Sequence, residues 1–314
     1  MHFNNNDIKI ISKNSNLQNE QISWLLDKKV YAKPKDWYFF LNYFSLSIGL
    51  GFLATGILFF FAYNWQDLHK FIKLGILEFL VVVTISAGLY WHKKSILSNI
   101  LVTVATLLTG VLFAVFGQIY QTGANAYDFF KGWTFAVSLW VLVSNFEPLW
   151  LLFIALINIT YFMFTKQIAT DWSDSTYFLI LLLLNFSVTG MVLFLKQKFQ
   201  IATWFIKVIT AYAILAGTIA VITGIMHRRS ENFLFIYMLV LGFYLLLNWY
   251  AVKQKNIWII ALTLSGIIAI FISLLLKRAA DSSIFFLTGI FTVISVTALI
   301  KLILFLQKKW YDKR

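Results

Sequence analysis

The sequence predicts an all-α protein, a polytopic integral membrane helical bundle of about ten transmembrane helices. Three observations predict it. Of the 314 residues only 12% are charged and 60% are hydrophobic, with a mean hydropathy of +0.79. Soluble domains carry about 25% charged residues, so this chain lacks the charge to coat a water-facing surface. Its apolar residues come in continuous runs of about 20 residues, the length of a membrane-crossing helix. Lipid leaves only helices or a closed barrel as spanning structures, and the alternating pattern of barrel strands is missing here.

The elements follow in order. Residues 1–36 are the only sizeable polar stretch. Their opening, MHFNNNDIKIISKNSN, has no apolar h-region, so the first membrane helix is expected to act as its own insertion signal. Asn16 is placed to cap a short helix, LQNEQISWLLDKK, with Leu17, Ile22, Trp24, Leu25 and Leu26 as its apolar residues. Ten apolar spans then run approximately over 38–63, 71–91, 96–117, 131–146, 148–164, 177–195, 201–226, 233–252, 257–276 and 283–306. Trp37, Trp65, Trp91, Trp133, Trp249, Trp258 and Trp310 fall at span ends, where an apolar ring keeps its N–H near water. Only Asn145–Phe146–Glu147–Pro148 separates spans four and five, which reads as a tight hairpin. Residues 307–314 form a basic tail.

The net charge of +13 comes from 26 Lys+Arg against 13 Asp+Glu. These cations sit in short turns between apolar runs, which points to anionic lipid and topology setting rather than to nucleic acid. With the N-terminus in the cytoplasm, 16 Lys+Arg fall in cytoplasmic segments and 7 on the other side, while Lys73, Lys207 and Lys301 lie inside spans. That bias favours both termini inside. Cysteine is absent, which removes disulfides, thiolate nucleophiles and Cys metal sites.

Several features could carry binding. Glu78 is the only acid well inside a span, and intramembrane acids are expected to face the bundle interior. Asn99, Thr103, Thr106, Gly110, Ala114 and Gln118 follow one helix face, as a pathway lining or as a close-packing surface. Small-residue ladders at Ser47, Gly51 and Thr55, and at Ala261, Ser265, Ala269 and Ser273, read as packing faces. Residues 118–133 read as a polar loop of irregular backbone, with Gln118, Tyr120, Gln121, Asn125, Tyr127, Asp128, Lys131 and Trp133 as candidate binding groups. His2, His69, His92 and His227 are dispersed, so no metal site is expected, and no phosphate-binding loop or nucleophile elbow occurs. No cofactor and no catalytic residue is expected.

Three stretches together resemble a known family. They are LQNEQISWLLDKK, the first span PKDWYFFLNYFSLSIGLGFLATGILFFFAYNW with its aromatic-Asn-Trp ending, and the Tyr-Gln segment GQIYQTGANAYDFFKGW. They resemble the DUF2157 family of uncharacterised bacterial membrane proteins, over roughly residues 10–165. This divides the chain into a cytoplasmic segment (1–36), a family-like region of about five spans (37–165), a C-terminal region of about five spans (166–306) and the tail. The resemblance implies a bacterial inner-membrane location and no particular activity.

Three functions compete. The first is a protein that binds or transports a lipid-like or small ligand. The second is a structural or scaffolding subunit, with a membrane-protein partner or as a homo-oligomer. The third is a lipid-acting enzyme, for which Asp128, Asp171 and Asp174 are the acids on one side. Membrane lipids are expected contacts in every case.

Overall fold

A computed structural model of the chain describes residues 12, 18–29, 31, 33–63, 68–91, 96–120, 125–144, 146–196, 198–226, 233–277 and 282–311. Among them the regular structure is helical throughout. A short helix α1 (Asn19–Lys29) precedes ten long ones. These are α2 (Pro34–Tyr63), α3 (Lys70–Tyr90), α4 (Ile96–Tyr120), α5 (Ala126–Ser144), α6 (Glu147–Gln167), α7 (Asp174–Leu195), α8 (Thr203–Met226), α9 (Phe233–Lys253), α10 (Ile257–Lys277) and α11 (Ser282–Tyr311). Each expected span corresponds to one of them.

Nine of the ten are long and apolar enough to cross a membrane. The tenth, α5, is the shortest of the ten at 19 residues and opens on Asp128 and Lys131. The protein is therefore a multi-pass, all-α membrane protein. The proposed cap Asn16 lies outside the described residues. At the start of α1, the Gln18 N–H donates to Gln21 Oε1 at 3.1 Å.

At the expected hairpin stand two separate helices, α5 and α6, with Pro148 in the first turn of α6, where its missing N–H costs nothing. The Glu147 carboxylate, in that same turn, accepts from the Ala202 N–H at 3.3 Å, so it ties the start of α6 to the segment leading into α8. Asn145 lies outside the described residues.

The chain divides into two compact units. The first comprises Met1–Ala124, Phe135–Ser144 and Arg314. In it α3 packs along α4, and α2 also touches α4. Leu74, Leu77 and Val115 form its small core. Gly88 permits the close approach, since a Cβ there would stand 3.2 Å from Val102 Cγ2. The Ser98 hydroxyl donates to the Gly88 carbonyl across the same contact.

The second unit comprises Asn125–Thr134 and Asn145–Lys313. Its central element is α8, which packs against α6, α7, α9 and α10. Small residues make this possible: Ala213, Ala216, Gly217, Ala220 and Gly224 are all buried. Without a hydrophobic drive between helices in lipid, such residues let backbones approach and gain dispersion contacts. Gly224 lies directly under the Phe233 ring and leaves no room for a Cβ. The Phe186 and Phe243 rings stack nearby, with centroids 3.6 Å apart.

The ladder expectations need correction. On α10 the closely packed face carries Thr263, Gly266 and Ser273, all buried; of the expected ladder Ser273 is therefore on it, Ala261 and Ala269 are half-buried and Ser265 is exposed. A Cβ on Gly266 would come within 2.7 Å of Thr218 Oγ1 on α8. On α2, Ser47, Gly51 and Thr55 are all exposed, and both hydroxyls donate to their own helix's carbonyls. Small size alone did not identify the contact faces.

Candidate functional site

The segment 118–133 is mostly helical, which corrects the loop expectation. Gln118 and Tyr120 belong to the last turn of α4, and Tyr127, Asp128, Lys131 and Trp133 to α5. The Asn125 carbonyl accepts from the Asp128 and Phe129 N–H groups, so Asn125 begins the helix. Asp128 and Lys131 then pair at 3.6 Å, one turn apart. Helix continuation satisfies backbone groups that an irregular loop at the membrane would leave in need of partners. Gln121 lies outside the described residues.

Glu78 does not face the packed interior. The buried residues of α3 are Lys73, Leu74, Leu77 and Gly88, whereas Glu78 is exposed. It stands about 140° around the helix from Lys73 at 3.6 residues per turn. The face running from Asn99 to Gln118 is a packing surface through its middle, with Thr106 and Gly110 buried. Its hydroxyls are committed to their own helix: Thr103 donates to the Asn99 carbonyl at 2.8 Å and Thr106 to that of Val102 at 2.9 Å. Tyr120 is exposed, packs on Phe116, and has Lys70 Nζ 5.8 Å from its ring centre.

Glu78, Asn99, Thr103, Gln118 and Tyr120 thus belong to the first unit, and Asn125, Tyr127, Asp128, Lys131 and Trp133 to the second. Within the second unit, Lys131 lies over the Tyr127 ring, and Trp133 packs on Phe129 and Phe130. The Tyr127 N–H donates to Gln167 Oε1 at 2.7 Å. The Tyr127 ring touches Phe164, which touches Trp172. This relay carries α5 to the turn between α6 and α7.

At that turn lies a cavity of about 460 Å³. Phe162, Thr165 and Lys166 come to it from the last turns of α6, Ala169, Thr170 and Trp172 from the turn itself, Asp174, Tyr177 and Phe178 from α7, and Thr223 from α8. Ser173 caps α7, its hydroxyl accepting from the Thr176 N–H at 3.3 Å, and so fixes where Asp174 enters the wall. Beside it a second cavity of about 460 Å³ opens at Ser175 and Thr176, walled by Leu179, Leu234, Phe235, Ile236 and Met238.

Polar side chains continue from the first cavity into the membrane-spanning part. The Tyr161 and Tyr177 rings stack at 5.5 Å, and the Tyr161 hydroxyl donates to the Tyr177 carbonyl. One turn deeper on α6, Asn158 meets Asn185 of α7, and the Tyr212 hydroxyl of α8 donates to Asn158 Oδ1 at 3.3 Å. From Thr165 to Asn158 is about 10 Å along the helix at 1.5 Å per residue. A second cluster lies between α8, α9 and α10, where the Tyr244 hydroxyl bonds the Ile214 carbonyl and lies 2.6 Å from Thr218 Oγ1. Among the described residues no group of His, Asp and Glu could hold a metal ion.

Residues 18–150 match the family model of DUF2157, described as a predicted membrane protein. From Gln18 onward the match covers the stretches that carry the resemblance read from the sequence. It ends before the α6–α7 turn, so the cavity lies outside the matched residues. No curated protein and no solved structure matches the chain.

Proposed function

We propose that the protein binds a small or lipid-like amphiphile in the cavity at the α6–α7 turn. The observation that carries this reading is the lining itself, in which Lys166, Asp174 and three threonines share about 460 Å³ with Phe162, Trp172, Tyr177 and Phe178. Ligand cavities combine that volume range with aromatic walls and a few convergent polar groups. The apolar cavity on the next residues of α7 suits the tail of an amphiphile. Native mass spectrometry from gentle detergent tests the reading. The wild-type protein is expected to retain a ligand, and Ala169→Trp, which fills the cavity, to lose it at unchanged abundance and unfolding temperature. A ligand-free wild-type protein, or an adduct that survives Ala169→Trp, overturns it.

The lysine and arginine bias supports a bacterial inner-membrane orientation with both termini cytoplasmic. On that orientation the cavity opens away from the cytoplasm. A fluorescent-protein fusion at the C-terminus should then fluoresce, since that reporter folds in the cytoplasm. A second reading, a scaffolding subunit with a membrane-protein partner, is favoured by α1, which exposes Trp24. In that case deleting residues 1–33 should release a co-purifying protein.

A further inference from the structure

We infer that the ligand at the α6–α7 turn is a zwitterion that joins an anionic group to a primary ammonium, held between Lys166 and Asp174. The inference rests on the binding reading above and names its chemistry. Lys166 lies in the last turn of α6 and Asp174 is the first residue of α7, and both line the one cavity. They make no ion pair with each other, and the Lys166 ammonium lies 5.9 Å from the Phe162 ring centre. Two opposite charges on separate parts of one wall match a ligand whose own opposite charges are separated. A purely anionic ligand would meet the Asp174 carboxylate, and a purely cationic one the Lys166 ammonium.

The remaining lining fits the same ligand. Trp172 and Tyr177 bring to the lining aromatic rings of the kind that attract an ammonium group. Thr170 brings a hydroxyl to the lining that can donate to an anionic oxygen. A primary ammonium has three N–H donors for Asp174, whereas a trimethylated one has none. The chemistry therefore favours an ethanolamine-type head over a choline-type head. Its source is either a lipid headgroup at the membrane surface or a free zwitterion.

The test uses the full chain in nanodiscs of equal phosphatidylethanolamine, phosphatidylcholine and phosphatidylglycerol, with retained lipid measured by native mass spectrometry. Phosphatidylethanolamine should be enriched. Lys166→Gln should cut its retention at least about tenfold, the scale of one charged hydrogen bond. Asp174→Lys should shift the preference from phosphatidylethanolamine to phosphatidylglycerol, a gain that a misfolded protein would not show. Free phosphoethanolamine separates the two sources. Displacement of the bound lipid by it assigns a soluble zwitterion, and no displacement assigns the lipid. Equal retention of all three heads, or a preference untouched by Asp174→Lys, overturns the zwitterion inference and leaves amphiphile binding standing. If no retained ligand responds to Ala169→Trp, the binding reading itself fails.

Discussion

Asn158 and Asn185 exchange their side-chain amides across α6 and α7. Asn185 Nδ2 donates to Asn158 Oδ1 at 2.8 Å, and Asn158 Nδ2 returns a bond to Asn185 Oδ1 at 3.3 Å. Each also donates to a carbonyl of its own helix, Ile154 or Leu181. Both side chains are buried, and Tyr212 adds a third helix to the clamp.

That reciprocity makes single and double substitutions behave differently. Asn158→Ala leaves Asn185 and Tyr212 without their acceptor and should destabilise by about 1–2 kcal/mol. Replacing both asparagines by leucine should cost less than the sum of the single changes, because no amide is left half-satisfied. A double-mutant cycle on detergent unfolding measures the coupling. Additive effects would show that the two amides act independently.

Gly266 is the point at which α10 meets the Thr218–Tyr244 pair of α8 and α9. Gly266→Ala brings a methyl to 2.7 Å from Thr218 Oγ1 and should cost about 1–3 kcal/mol, as overpacking does. In a Thr218→Ala background, much of that cost should disappear. Thermal unfolding of the four proteins decides the matter.

Glu147→Ala removes the acceptor for the Ala202 N–H and the negative charge from the first turn of α6. A loss of about 0.5–2 kcal/mol is expected. Glu147→Gln keeps an acceptor and should recover part of it. An unchanged unfolding temperature in both variants would show that the tie contributes nothing.

Glu78→Leu is expected not to lower stability, because the carboxylate is on the exposed face of α3 and an acid within a membrane span is costly. Measured abundance and unfolding temperature should equal or exceed wild type. A clear loss would reveal a partner for the acid.

Nine of the ten long helices were legible because length and apolarity decide a membrane span almost alone, and α5 was legible as a shorter apolar run. Helix ends were legible at Pro148, where the ring excludes other backbone positions. The span of 118–133 was misread because polar and aromatic residues resemble loop composition, while the backbone gains more by continuing α4 and starting α5. The faces were harder. Ala261 to Ser273 and Ser47 to Thr55 look like contact ladders, but of these only Ser273 is buried, and α10 turns Thr263 and Gly266 inward beside it, since burial depends on which neighbours arrive. The sequence points to Glu78, to the polar face from Asn99 to Gln118 and to residues 118–133 as binding groups, and none of these lines the cavity. The informative signal was neutral: Asn158, Asn185 and Asn248 are amides inside apolar runs, and they mark where helices exchange hydrogen bonds. Asp174 was visible as an acid, but its place in a cavity with Lys166 depends on the cap at Ser173 and the fold of the turn.

The small-residue surface of α8 also bears on how the chain is made. This helix leaves the ribosome after α6 and α7 but before α9 and α10, so half of its closely packed face has no protein neighbour at first. Synthesis of residues 233–277 takes about 2–9 s at about 5–20 residues per second. During that interval lipid must stand where Phe233, Val240 and Tyr244 will later seat. A nascent product halted after Met226 would keep that groove open permanently, which makes it the form that membrane quality-control proteases should remove fastest.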